Sequence, residues 1–116
     1  MMKAIIIDDE RLARKELASL LNEFNSVEVI AECNNADNGI EKIEELKPDL
    51  IFLDIQMPDL TGIQLSKLIN YSPYIIFTTA YAQFAVEGFQ VNAIDYLLKP
   101  IAFPRFIEAI EKIKER

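Results

Sequence analysis

Leu50-Ile51-Phe52-Leu53-Asp54 decides how this chain folds: an unbroken apolar run ends on a carboxylate and continues through Ile55-Gln56-Met57-Pro58 into Asp59-Leu60-Thr61-Gly62. A strand with one face in water alternates apolar and polar residues, so an unbroken run signals a strand covered on both faces, as in a parallel sheet. The pattern recurs at Ala4 to Ile7 and Tyr74 to Phe77, and more weakly at Val27 to Ala31 and Ile94 to Leu98.

Between these runs the apolar residues take helical spacing: Ala13, Leu17, Leu20, Leu21 and Phe24; Ile40, Ile43 and Leu46; Leu65, Leu68 and Ile69; then Phe103, Phe106, Ile107, Ile110 and Ile113. Each such stripe would bury one face on a sheet. Asn38 with Glu41 resembles a capping box, Thr61 is placed to cap the third helix, and Pro104 sits where a first helical turn tolerates it. A further short helix is expected from about Ala82 to Phe89, weakened by Gly88. Strand and helix alternating along the chain demand right-handed crossovers, which gives a doubly wound α/β fold: a parallel sheet with helices on both faces.

Length and composition narrow the chemistry. The 116 residues, 51% hydrophobic, suit one domain with a single core. Histidine is absent, which excludes a Ser-His-Asp triad, a Cys-His pair, an imidazole metal ligand and a phosphohistidine acceptor. The formal charge of −7 would repel a nucleic-acid backbone, so direct DNA binding by this segment is not expected. The single Cys33 forms no intramolecular disulfide or multi-thiolate zinc site and reads as a small half-buried residue. Met1-Met2-Lys3 runs into Ala4-Ile5-Ile6-Ile7 and then two aspartates, too short and too soon acidic for a signal peptide. With no apolar stretch of membrane-span length, a soluble cytoplasmic protein is expected.

In a doubly wound sheet, function lies outside the carboxyl ends of the strands. Asp8, Asp9 and Glu10 follow the first run, Asp54 ends the third, Thr78-Thr79-Ala80 end the fourth, and Lys99-Pro100 end the fifth. Carboxylates gathered on one rim repel one another and call for a cation. Magnesium suits hard oxygen ligands and keeps several waters, and there is no soft ligand set to favour zinc. A carboxylate, Mg²⁺, a lysine and a hydroxyl are the parts that bind and transfer a phosphoryl group. Singly, each has a plainer reading: Asp8 and Asp9 could cap the first helix, Asp54 could open a turn, Lys99 could be a solvated lysine, and the threonines suit any strand end. Their coincidence at four strand ends is what favours the phosphoryl reading.

In combination Ile7-Asp8-Asp9-Glu10, Leu53-Asp54 through Gly62, Phe77-Thr78-Thr79-Ala80 and Asp95-Tyr96-Leu97-Leu98-Lys99-Pro100 are specific, and the chain resembles a response-regulator receiver domain of bacterial two-component signalling. The likeness covers essentially all of residues 1–116, read as one receiver domain with any output domain beyond the given chain. It implies a flavodoxin-like five-stranded parallel sheet of order 2-1-3-4-5. It further implies that Asp54 is the phosphoacceptor and that Asp8 and Asp9 form the acidic pocket. The implied magnesium ligands are Asp8, Asp9, Asp54 and the backbone carbonyl of Gln56. Lys99 would pair with a phosphoryl oxygen, Thr79 would be the switch hydroxyl and Tyr96 the switch aromatic, whose plainer reading is a half-buried core ring. The Lys99–Pro100 bond is expected to be cis.

The implied function is to accept a phosphoryl group from a sensor histidine kinase and control an attached output, without being an enzyme in its own right. Phe77 through Tyr81, Phe84 through Phe89 and Ala93 through Pro100 resemble receivers that precede a LytTR-type DNA-binding domain. A homodimer through the helix expected near 82–89, the fifth strand and the last helix would follow family habit. Three alternatives compete. A haloacid-dehalogenase-type phosphatase needs a second aspartate two residues past the nucleophile, where Gln56 stands. A flavodoxin needs a phosphate-binding loop where Asp8 and Asp9 would repel the flavin phosphate. A pseudo-receiver would have lost acidic residues or Lys99, and none is lost.

Overall fold

The computed structural model describes residues 1–83 and 93–114. In chain order its elements are β1 (Met2–Ile7), α1 (Arg11–Leu21), β2 (Val27–Cys33), α2 (Ala36–Leu46), β3 (Leu50–Asp54), α3 (Gly62–Ser66), β4 (Tyr74–Thr79), β5 (Asp95–Leu98) and the last helix, here α4 (Phe103–Lys114). The strands form one parallel sheet, as the strand-helix alternation requires, in the order β2-β1-β3-β4-β5 that the family resemblance implies.

The unbroken runs behave as strands with two covered faces. Ala4, Ile6, Leu50, Phe52 and Ile76 point to one layer with Leu17 and Leu21 of α1 and Phe106 and Ile110 of α4. Ile5, Ile7, Ile51, Leu53 and Phe77 point to the other, with Ile43 of α2 and Ile63 and Leu65 of α3. Phe52 and Phe106 stack at 6.2 Å, and Phe24, just past the end of α1, joins them 5.5 Å from Phe106. Fully burying each such ring contributes about 1.5–3 kcal/mol, so the central strands anchor the domain.

Several sequence expectations need correction. The cap of α2 is Asn35, not Asn38: Asn35 Oδ1 accepts the Asn38 N–H at 2.8 Å, which places Asn38 inside the first turn. Four Asx residues at 34, 35, 37 and 38 make that start ambiguous by pattern alone. Leu68 is 62% exposed, because α3 ends at Ser66 before its stripe can continue. Phe103, expected on the buried face of the last helix, is 41% exposed. Cys33 is fully buried, and burial pushes its thiol up from the ordinary range. Thr61 does cap α3, in a reciprocal box with Gln64. The helix expected over 82–89 falls mostly outside the described residues. Among the described residues, no helix is long and apolar enough to cross a membrane.

Candidate functional site

Because all five strands are parallel, their carboxyl ends share one rim, and the side chains just beyond them converge there. Asp8 follows β1, Asp54 ends β3, and both are 4% exposed. Lys99 follows β5, where its N–H extends the ladder to the Thr79 carbonyl at 2.8 Å. The Lys99–Pro100 bond is cis, as expected.

The two buried carboxylates are held alike. Asp8 Oδ1 accepts the Glu10 N–H at 2.9 Å, while its Oδ2 lies 2.8 Å from Lys99 Nζ. Asp54 Oδ1 accepts the Gln56 N–H at 3.2 Å, while its Oδ2 lies 3.7 Å from the same ammonium. In each, the backbone two residues on fixes one oxygen and leaves the other facing Lys99. Glu10 also reaches Lys99 at 3.4 Å, a contact that sequence reasoning did not assign. Arg14 Nη1 donates to the Asp8 carbonyl at 2.8 Å and ties α1 to this rim. Glu10 stands before α1 without a side-chain capping bond, so neither Asp8 nor Asp9 serves as the cap.

Burial and the neighbouring Asp8 charge push the Asp54 carboxyl up to about 7, against the opposing pull of Lys99 and the Gln56 N–H. Burial works against the charge on Lys99, but Asp8, Asp54 and Glu10 outweigh it and hold the ammonium above its ordinary range. Asp8, the exposed Asp9 and Asp54 offer oxygen atoms within 4.8 Å of one another. That cluster has only hard donors, carries more negative charge than Lys99 balances, and contains a carboxyl already driven toward protonation. It fits a divalent cation such as magnesium.

The structure does not bring every expected residue to the carboxylates. Thr79 is fully buried, and its hydroxyl oxygen accepts the Tyr81 N–H at 3.1 Å. Thr78 pairs with Asp54 in register, and the Ile55 N–H donates to its carbonyl at 3.0 Å. Tyr96 is half-buried on β5 against the α2 and α3 layer. A cavity of about 300 Å³ opens beside the carboxylates, lined by Asp8, Leu12, Thr78, Ala80, Lys99 and Pro100 among others. The larger depression, about 930 Å³, lies between α1 and β2, away from this chemistry.

Residues 4–111 match the family model of the response regulator receiver domain. The chain belongs to the response regulator receiver family. This receiver is 48% identical over 117 residues to an uncharacterized response regulatory protein of Vibrio parahaemolyticus, covering 99% of this chain and 48% of that protein. It is 40% identical over 117 residues to the transcriptional regulatory protein BtsR of Escherichia coli, covering 99% of this chain and 49% of BtsR. The chain thus spans about half the length of the curated relatives it matches. Among solved structures, the response regulatory domain of mrkE from Klebsiella pneumoniae superposes with a TM-score of 0.89 at 37% identity, covering 98% of this chain and 96% of that one. The receiver domain of AraT from Geobacillus stearothermophilus gives a TM-score of 0.87 at 33% identity, covering 98% and 93%. These likenesses agree with the receiver fold expected from the motifs.

Proposed function

We propose that this receiver, residues 1–116, accepts a phosphoryl group on Asp54 from a sensor histidine kinase and thereby switches an attached output. The observation that carries the reading is the Asp54 carboxylate, buried at the carboxyl end of the central strand with one oxygen facing Lys99 at 3.7 Å. An Asp54 oxygen attacks the phosphorus of a kinase phosphohistidine in line; the P–O bond forms as the P–N bond breaks, and the imidazole leaves. Lys99 offsets charge on the transferred group, and the Gln56 N–H holds the second Asp54 oxygen in place. Magnesium, held by Asp8, Asp9, Asp54 and the Gln56 backbone carbonyl, would supply further neutralisation of the phosphoryl oxygens. The chain assists its own phosphorylation and dephosphorylation without turning over a separate substrate, because Gln56 offers no general acid where a phosphatase would have one.

The new phosphoryl oxygens accept from the Thr79 hydroxyl, which must then leave the Tyr81 N–H. Space vacated by Thr79 admits the Tyr96 ring, and a pre-existing two-state equilibrium moves. The output is transcriptional, through a LytTR-type DNA-binding domain in the fuller protein; the relationship to BtsR and the half-length coverage support this. Dimerisation through β5, α4 and the segment near 82–89 carries the signal onward, in the cytoplasm.

Intact mass after incubation with acetyl phosphate and Mg²⁺ tests the reading. A single phosphoryl adduct in wild type that disappears in Asp54→Ala is expected. No adduct under conditions that label a control receiver would return the acidic cluster to a metal-binding or purely structural role.

A further inference from the structure

Arg105, in the first turn of α4, grips β5 through one guanidinium. Nη1 donates to Asp95 Oδ2 at 2.8 Å, and Nη2 donates to Asp95 Oδ1 at 2.6 Å and to the Tyr96 carbonyl at 3.0 Å. The guanidinium carbon also lies 5.6 Å from the centroid of the Tyr96 ring. Asp95 is 1% exposed and takes a second cation, Lys112, at 3.0 Å. The planar fork matters here, because a single lysine ammonium cannot pair both Asp95 oxygens, reach the Tyr96 carbonyl and stand over the ring at once. Tyr96 packs against the α2 and α3 layer, whereas Arg105 comes from α4 on the opposite layer. One side chain therefore joins the start of α4, the β5 backbone and the Tyr96 ring.

We propose that Arg105 is a positioning residue that latches the Tyr96 ring in its half-buried setting and so opposes the phosphoryl-responsive state. The latch rests on the switch roles proposed above for Asp54, Thr79 and Tyr96. In the latched arrangement the Thr79 hydroxyl is engaged by the Tyr81 N–H at 3.1 Å. An inward turn of the Tyr96 ring leaves the guanidinium face, whereas the Asp95 fork can persist. Each contact made only in the latched state biases the equilibrium toward it, and by linkage weakens binding of anything that prefers the other state. Removing a cation–ring contact of this kind corresponds to about 2- to 30-fold in that equilibrium.

Fluorine NMR of the full chain labelled with fluorotyrosine tests this, with the Tyr96 resonance identified by its loss in Tyr96→Phe. Arg105→Ala should move that resonance without any ligand and tighten beryllofluoride binding, measured with Mg²⁺, by about 2- to 30-fold. Arg105→Lys, which keeps a positive charge for Asp95 without the fork, should lose less thermal stability than Arg105→Ala yet change resonance and affinity in the same direction. Both variants matching wild type in resonance and affinity would overturn the latch, even if Arg105→Ala were less stable, since that is the signature of a structural ion pair alone. A wild-type Tyr96 resonance that ignores beryllofluoride would instead overturn the proposed switch, and the opposing role of Arg105 with it. The ligand-free resonance of Arg105→Lys would still decide whether the guanidinium positions the ring.

Discussion

Lys99 stands nearer to Asp8 than to Asp54: its Nζ is 2.8 Å from the first carboxylate and 3.7 Å from the second. The cation is thus shared unequally, and the residue read as phosphoacceptor has the lesser part of it. Burial and the Asp8 charge together raise the Asp54 carboxyl to about 7.

Asp8→Asn should therefore lower the Asp54 pKa, by removing a repelling charge and freeing Lys99 to move toward Asp54. Because burial is the larger cause, the value should remain above the ordinary carboxylate range. Carbon NMR of the Asp54 carboxyl during a metal-free pH titration measures this directly. Equal midpoints in wild type and Asp8→Asn would rule out the Asp8 charge as a cause.

Asp95 behaves in the opposite sense. Burial disfavours its charge, yet hydrogen bonds from Arg105 and Lys112, with the Tyr96 N–H, outweigh that and hold it below its ordinary range. A carboxyl depressed in the folded state contributes stability that is full above its unfolded pKa of about 3.9 and is lost as pH falls through the folded value. Asp95→Asn should cost about 1–3 kcal/mol at neutral pH, with the gap to wild type closing as the solution is acidified below about pH 4. Urea unfolding across that range checks it; a gap that stays constant into strong acid would exclude ion pairing as its source.

Gly62 opens α3 against the backbone of Asp54. A Cβ at this position would lie 2.3 Å from the Asp54 carbonyl oxygen and 2.9 Å from its carbon, so something must shift. Its φ is not positive, which leaves close approach rather than backbone freedom as the reason for glycine. Gly62→Ala should destabilise by about 1–3 kcal/mol despite alanine's better helix propensity, and slow acetyl phosphate labelling of Asp54. Wild-type labelling kinetics in this variant would show that the Asp54 backbone is not held by that packing.

Tyr81 is half exposed beside the rim, and its N–H is bonded to the Thr79 hydroxyl. The bulk of its ring is expected to hinder water approaching a phosphoryl group on Asp54. Tyr81→Ala should hydrolyse the aspartyl phosphate severalfold faster, followed by loss of the phosphoryl mass with time. An unchanged rate would refute the shielding role.

The sheet was readable because strands buried on both faces leave an unbroken apolar signature, as in Leu50 to Leu53, and strand order followed from the family motifs. The rim was readable for a related reason: in a parallel sheet, a residue just past a strand has a known address, which collected Asp8, Asp54, Thr79 and Lys99. Side-chain pairings across elements carry no such address. Nothing local marks Arg105 as the partner of Asp95, and Lys112 reaches that carboxylate only because α4 lies back along β5. Leu68 failed for a local reason, since its apolar spacing continued after the helix had ended at Ser66.

The Asp95 and Arg105 pair has one more effect, on solubility. β5 is the last strand of the sheet, so its outer backbone groups are a natural template for a strand from another molecule. At Tyr96 the N–H already donates to the Asp95 carboxylate at 2.8 Å, and the carbonyl already accepts from Arg105 at 3.0 Å. Both groups are occupied from within the chain, and a charged guanidinium stands in the path of an incoming strand. The same side chain that joins helix to ring therefore blunts this edge against end-on sheet growth and aggregation.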